Sequence, residues 1–597
     1  MREAASARRK NRPYRGNAVN AYSGNYVIVG PPGTGKTTFL ARQVQKIVDR
    51  RPAANVGGQG TSRSPVLVCS LTRAAAAEIA GREMAIPAGA VGTLHAHAYR
   101  QLGRPPVAEA HADEWNEAHP NYRIGNTAPA TDEPDWDRSQ RPDANAPGAL
   151  AYEEYHLLRA RCVPRRHWGK RDVEGFAQAW EMWKALNGYV DFTDMIDVAI
   201  RDRVPPPLTP DVILADEAQD HSALEHRLLT AWGDDAGCIM SAGDPWQAIY
   251  CWRGADPTIF GSDRIPDDRR RVLGRSYRIP AAVHRLATSW VRQLTTWEPI
   301  DYSPRQDAGG EPIEGEVSRC NEGNWTEPAA LIDMAERWLE DGESVMFLAS
   351  CGYLLGPLLM RLRERGMPFA NPWRRSRGDW NPFARKRGVR MIDRVWAFLQ
   401  NDMSFAQDAW DCWRTETMAR IAHVLRADGT LRRGAKKAIR SAAECDPSRE
   451  ITDDDLLAWF ERDALGDLQA LQRERNEGMD PPPARDLAEW MVSRVAAKDE
   501  KRATYAASAL CRCGPALIDQ DPPIYVGTIH SFKGAEADNC ILFPDLSLAG
   551  GNEWAAGDKA RDAVVRLFYV GITRARKRLV LAAGKGRQAP IAPFIGE

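Results

Sequence analysis

The chain has no net charge. Lys plus Arg and Asp plus Glu each number 80 in 597 residues, so any polyanion would have to be recognised by clustered charge and not by the bulk. It also lacks an apolar run near the ~20 residues of a membrane span, and Met1 to Lys10 holds no hydrophobic stretch for a signal peptide. The expectation is a soluble, cytoplasmic protein with no membrane partner. Cysteine is sparse and irregular: the count of 11 is odd, which points to reduced thiols and not to a disulfide framework. Only Cys511 and Cys513 are close neighbours, and a metal site there would need further ligands that the local sequence does not show. No internal repeat is visible. Because single cores stop growing at roughly 250 to 300 residues, several domains are expected.

What the chain does have begins at Gly30-Pro-Pro-Gly33-Thr34-Gly35-Lys36-Thr37-Thr38, a phosphate-binding loop between the apolar run Tyr26 to Val29 and a helical stretch from Thr37 to Val48. Glycines let successive backbone N–H groups converge on a phosphate at a helix N-terminus, where the helix dipole adds positive charge. Lys36 then reaches the β- and γ-phosphates. A second apolar run, Val212 to Ala215, ends in Asp216 and Glu217. This pairing implies ATP and Mg²⁺, with Thr37 and Asp216 on the metal and Glu217 left to orient or deprotonate water.

Short apolar runs recur at Tyr26 to Val29, Val66 to Ser70, Val212 to Ala215, Cys238 to Ala242, Val345 to Ala349, Ile524 to Val526, Cys540 to Phe543 and Leu579 to Ala582. They read as buried parallel strands, with helical patterns between them, so the expected class is doubly wound α/β. Two stretches break the rhythm. From about Leu102 the chain is rich in loop-forming residues, followed by helical sequence with Trp168, Trp180 and Trp183. From about Asn371 to Pro523 amphipathic helix dominates, for example Met391 to Leu399 and Leu456 to Gln472. Both read as helical insertions into α/β cores.

Three further stretches each admit two readings. Ser241 to Ala255 carries Gln247, Tyr250, Trp252 and Arg253. Its rings are either core aromatics or platforms for nucleic-acid bases, at ~1 to 3 kcal/mol per stacked base. The run Arg574-Ala-Arg576-Lys-Arg578, directly before a strand, is either a solvated face or supplies an arginine aimed at transition-state charge. The stretch Trp373 to Arg390 interleaves Arg374, Arg375, Arg377, Arg385, Lys386 and Arg387 with aromatics, as a solvated loop or as a contact for duplex or forked DNA.

Taken in order, these segments resemble the UvrD, Rep and PcrA group of superfamily 1 DNA helicases, from Val27 to about Leu579. Gly30 to Thr37 resembles motif I, Cys69-Ser-Leu-Thr72 motif Ia, and Gly92-Thr93-Leu-His95 motif Ib. Val190-Asp191-Phe192-Thr-Asp194 resembles the segment returning from the first insertion, Asp216-Glu217-Ala-Gln219-Asp220 motif II, and Gly243 to Ala255 motif III. Leu273 to Arg278 is similar to motif IV, Val526 to Glu536 to motif V, and Leu567 to Arg578 to motif VI.

The resemblance implies two RecA-like parallel-sheet cores, each with a mainly helical insertion. The first core is expected over 1–100 and 190–280 with its insertion at 101–189, the second over 281–370 and 524–597 with its insertion at 371–523. It implies that Gln247, Arg278 and Arg574 contact the γ-phosphate, that Tyr277 stacks on adenine and that Glu536 reaches the ribose. Thr72, His95, Thr528 and His530 would contact a DNA backbone, and Tyr250 and Trp252 would stack on bases. The implied activity is ATP-dependent 3′ to 5′ translocation on single-stranded DNA with duplex unwinding, in a bacterial or phage-infected cytoplasm. Alternatives are a translocase that strips proteins without efficient unwinding and a nucleic-acid-binding scaffold with a dead ATPase. One departure stands out: residues 1 to 29 contain no glutamine, so the side chain that reads the adenine edge in this group is missing.

Overall fold

The computed structural model describes residues 24–50, 63–70, 86–125, 148–169, 171–260, 265–374, 377–384, 390–399, 492–493, 495–585 and 589–591. Its chain divides into two compact units, Met1–Tyr277 with Glu298–Ser303, and Arg278–Trp297 with Pro304–Glu597. Each is built on a six-stranded sheet.

In the first unit the strands are β1 (Gly24–Val29), β2 (Val66–Ser70), β3 (Val91–Thr93), β4 (Val212–Ala215), β5 (Cys238–Gly243) and β6 (Arg270–Val272). They lie in the order β3-β2-β4-β5-β1-β6, every pair parallel. Alternate residues feed opposite faces: Ile28, Val66, Val68, Val212 and Leu214 join one core cluster, Val27, Val29, Leu67, Ile213 and Ala215 another. A sheet covered on both faces needs apolar residues at every position, which is why its strands read as unbroken runs. The helix Lys36–Arg50 lies on the first of these faces, burying Leu40, Val44, Ile47 and Val48. Each such side chain contributes about 1.5 to 3 kcal/mol, so an aspartate at Val44 would unseat the helix.

The first insertion has its own core. Trp115, Tyr155, Phe176, Trp180 and Trp183 form it, with Trp115 and Trp180 edge to face at 4.9 Å. Its neck closes where Ala108 N–H donates to the Val190 carbonyl at 2.8 Å and Val190 N–H to the Pro106 carbonyl at 3.0 Å. Next in the chain, Asp191 caps the helix Phe192–Arg201 in a reciprocal box with Asp194, while accepting from Trp180 Nε1 at 3.0 Å and pairing with Lys184 and Arg159. Those partners hold its buried carboxyl below the usual range, against the pull of burial.

The second unit's strands are β7 (Glu316–Cys320), β8 (Val345–Ala349), β9 (Phe369–Ala370), β10 (Ile524–Thr528), β11 (Ala537–Leu542) and β12 (Ala575–Ala582), in the parallel order β7-β12-β11-β8-β10-β9. Its core runs past the sequence boundary drawn at 371. Trp380, Met391, Ile392 and Val395 from one side, and Ala503, Tyr505, Ala506 and Leu510 from the other, share a single cluster with Phe347, Phe369 and Val526. The helix expected over Leu456 to Gln472 lies outside the described residues. Among those described, no helix is long and apolar enough to cross a membrane.

Candidate functional site

β5 lies between β4 and β1, so the turns that leave the carboxyl ends of these strands come side by side. After β1 the backbone passes through Gly33 and Gly35 at φ 74° and 77°, a left-handed geometry that costs glycine little. Lys36 folds back over the loop: its Nζ donates to the Gly30 carbonyl at 2.7 Å, and a Cβ at Gly30 would lie 2.4 Å from Lys36 Cγ. The loop is clamped from outside. Ser276 Oγ and Tyr302 OH donate to the Pro32 carbonyl at 3.1 and 2.9 Å, and Tyr277 N–H to the Gly33 carbonyl at 2.8 Å. This anchors the Tyr277 backbone while its ring stays 67% exposed near Gly35, where a flat partner could stack. Thr34 Oγ1 donates to the Pro31 carbonyl at 2.8 Å, and Thr37 and Thr38 follow in the first turn of the helix Lys36–Arg50.

After β4, Asp216 is buried and its Oδ1 accepts from Glu217 N–H at 3.0 Å. Glu217 adopts φ 53°, a left-handed conformation that a non-glycine residue holds only under constraint. Gln219 supplies one. Its Nε2 donates to Glu217 Oε2 at 2.6 Å and its Oε1 accepts from Asp244 N–H at 2.9 Å, in space that a side chain at Gly243 would fill. Asp244 Oδ2 in turn accepts from Gln247 Nε2 at 2.7 Å. Burial pushes the Asp244 carboxyl up to about 6, against the lowering effect of Lys36. The other carboxylate oxygen of Glu217 lies 4.0 Å from Lys36 Nζ. Lys36, Glu217 and Gln247 are thus joined through Gln219 and Asp244, two residues whose bridging role no local pattern signals.

In the second unit Glu536 pairs with Arg278 and, at 3.3 Å, with Arg576. Arg574, the arginine expected to meet transition-state charge, is held by its neighbours in the second unit. Its side chain is buried, donating to the carbonyls of Val570 at 2.8 Å and Ala535 at 3.1 Å and to Thr573 Oγ1 at 3.1 Å. Arg576 and Lys577 are the exposed members of that basic run, and they lie inside β12, not ahead of it.

Of the residues expected on a DNA strand, Thr72 lies outside the described residues. His95 is the second residue of the helix Leu94–Gln101, which Thr93 caps by accepting from Ala96 N–H at 3.1 Å. Tyr250 is buried and Trp252 half-buried, their centroids 6.4 Å apart, so Trp252 has more ring face to offer a base. Thr528 is buried at the carboxyl end of β10, and His530 opens the short turn His530–Phe532 beyond it. The basic stretch at the start of the second insertion is no solvated loop where it is described: Arg374 and Arg377 are buried, the Arg377 guanidinium 3.9 Å from the Trp380 ring centroid. Arg375, Arg385, Lys386 and Arg387 lie outside the described residues.

A family model described as the UvrD/REP helicase N-terminal domain matches residues 12–264. The ATP-dependent DNA helicase UvrD2 of Mycobacterium tuberculosis (strain ATCC 25618 / H37Rv) is 25% identical over 614 residues, covering 95% of this chain and 77% of that protein. UvrD2 of Mycobacterium bovis matches to the same extent, 25% over 614 residues. An ATP-dependent helicase/nuclease from Alkaliphilus oremlandii is 26% identical over 212 residues, 32% of this chain and 17% of that protein. Residues 12–264 thus match the UvrD/REP helicase N-terminal domain, and 95% of the chain's length is similar to UvrD2.

Proposed function

We propose that the chain is an ATP-dependent DNA helicase that moves 3′ to 5′ along single-stranded DNA and unwinds duplex, taking single-stranded and forked DNA as substrates. The observation that carries the reading is the bonded set Glu217, Gln219, Asp244 and Gln247 beside the Lys36 loop. The names of the relatives, ATP-dependent DNA helicases, support it. The donors also suit the implied ligands: glycines at positive φ leave backbone N–H groups for phosphates, and the Thr37 hydroxyl with the Asp216 carboxylate suits a hard cation. Bound Mg²⁺ would offset phosphate charge. Lys36 neutralises charge on the transferred group. Glu217, fixed by Gln219, orients and accepts a proton from the attacking water, and Gln247 senses the γ-phosphate through its bond to Asp244. Tyr277 stacks on the base, Glu536 holds the ribose, and Arg278 and Arg574 act on the γ-phosphate, Arg574 after leaving its carbonyl partners.

The test is hydrolysis with and without a single-stranded oligonucleotide. Stimulation by at least tenfold, abolished in Lys36→Ala, is expected from a positioned phosphate loop. Hydrolysis indifferent to DNA, or undiminished in Lys36→Ala, would refute the reading.

A further inference from the structure

The helix Ala223–Ala236 opens on a carboxylate that works in two directions. Glu225 Oε2 accepts from the Ser222 backbone N–H at 2.8 Å and from Ser222 Oγ at 2.9 Å, and Ser222 Oγ accepts from Glu225 N–H at 3.2 Å. This capping box fixes the side chain and leaves Oε1 3.5 Å from His95 Nδ1. The His95 side chain is 26% exposed, so part of its ring remains open to solvent beyond that contact. Arg253 also acts on both residues and His221 on Glu225; His95, Arg253, Glu225 and Glu217 act on His221, and His221, Glu225 and Asp256 on His226. His221 is buried and neither of its ring nitrogens has a hydrogen-bond partner. Burial opposes the charge on Glu225, yet His95, Arg253 and His221 hold its carboxyl down at about 2. Burial likewise lowers His95, although Glu225 pulls the other way. At neutral pH the pair is therefore a carboxylate facing a neutral imidazole.

We propose that Glu225 is a positioning residue that holds the His95 Nδ1–H toward itself, so that Nε2 takes up a proton as a phosphate of single-stranded DNA arrives. The inference rests on the proposed DNA-helicase reading and on the contact between His95 and a DNA backbone that the sequence resemblance implies. A carboxylate on one ring nitrogen fixes the tautomer and raises the basicity of the other. A phosphate at Nε2 adds a second negative neighbour, and the imidazolium then makes a charge-assisted bond. The proton comes from solvent, so strand binding strengthens as pH falls.

The experiment is fluorescence anisotropy of a short labelled oligonucleotide at fixed salt, pH 6 to 8, with the full chain and no nucleotide. The native protein should bind about three- to tenfold more tightly at pH 6 than at pH 8, a part of the tenfold per pH unit that full uptake of one proton would give. Glu225→Gln should flatten this profile and His95→Gln remove it, with the double variant matching His95→Gln. Ser222→Ala, which removes the hydroxyl's two bonds but leaves the Glu225 carboxylate held by the Ser222 backbone N–H, should keep the native profile. A Glu225→Gln profile that superimposes on the native one, while His95→Gln does not, would overturn the inference and leave the strand contact standing. If His95→Gln itself behaves as native, the contact falls and the inference with it. A Ser222→Ala profile as flat as that of Glu225→Gln would reduce Glu225 to a helix cap.

Discussion

Gln219 holds Glu217 by a 2.6 Å hydrogen bond from its amide to the carboxylate, while the same amide's oxygen takes the Asp244 N–H at 2.9 Å. A carboxylate locked at a left-handed φ of 53° by such a bridge is preset, as the proposed base, for one direction of attack. Glu217→Gln keeps the shape but cannot accept a proton. It should bind nucleotide and DNA while turnover falls by ~10² to 10⁴. Steady-state hydrolysis beside a nucleotide-binding assay checks this; near-native kcat would remove Glu217 from the chemistry.

Arg377 belongs to the fold and not to a strand contact, since its guanidinium stacks on Trp380 and pairs with Asp379 at 3.2 Å. Arg377→Gln should lower stability by about 1 to 2 kcal/mol through lost stacking and packing. The dependence of DNA affinity on salt should not move. A log-log slope shallower by about 0.9 would reveal a phosphate contact after all.

The eight strands legible in the sequence are the interior strands of the two sheets, where burial on both faces leaves apolar residues at every position. The four that are not legible there, β3, β6, β7 and β9, are the sheet edges. Edge strands carry charge or are short: β6 is Arg270-Arg271-Val272, exposed throughout, and β9 is only Phe369-Ala370. Of the site, the loop and the acidic turn are legible because their backbone demands particular residue types. Tyr302 is not. It reaches Pro32 from Glu298–Ser303, a segment that returns to the first unit after 20 residues of the second, and nothing local marks such a return. The burial of Arg374, Arg377 and Arg574 is hidden for a related reason: an arginine's stem and plane pack well against apolar neighbours, so a basic run does not reveal which of its members are inside.

Glu109 makes the first insertion sensitive to alkali. Its Oε1 accepts from Phe192 N–H at 3.1 Å and Tyr152 OH at 3.0 Å, and burial, with Asp191 adding, pushes its carboxyl up to about 8. The folded state therefore keeps the proton over a range where the unfolded chain loses it. Stability is fully present below the ordinary carboxyl range and is lost as pH rises to about 8, by at most ~1.4 kcal/mol per pH unit. Glu109→Gln should be flatter than the native protein from pH 5 to 8. Denaturant unfolding followed by tryptophan fluorescence suits the test, because Trp115, Trp180 and Trp183 lie in this insertion's core. Parallel pH profiles would contradict it.

Base selectivity should be relaxed. Tyr277 offers a π-face that every nucleobase can satisfy, and Asn25, the one described candidate for a replacement edge contact, lines a cavity of about 410 Å³ with Thr230 and Arg269 at the start of β1, away from the loop. Asn17 and Asn20 lie outside the described residues. GTP and dATP should support DNA-stimulated hydrolysis within about tenfold of ATP in kcat/KM, ~1.4 kcal/mol. A preference for ATP beyond a hundredfold would mean that another group reads the adenine edge.

Strand displacement tests the central claim most directly. A duplex with a 3′ single-stranded tail, one with a 5′ tail and the matching RNA duplex are each incubated with protein, ATP and Mg²⁺, with Glu217→Gln as control. The account predicts release of the displaced strand from the 3′-tailed DNA alone, and none with Glu217→Gln. Release from the 5′-tailed duplex, or DNA-stimulated hydrolysis without release from either, would contradict it.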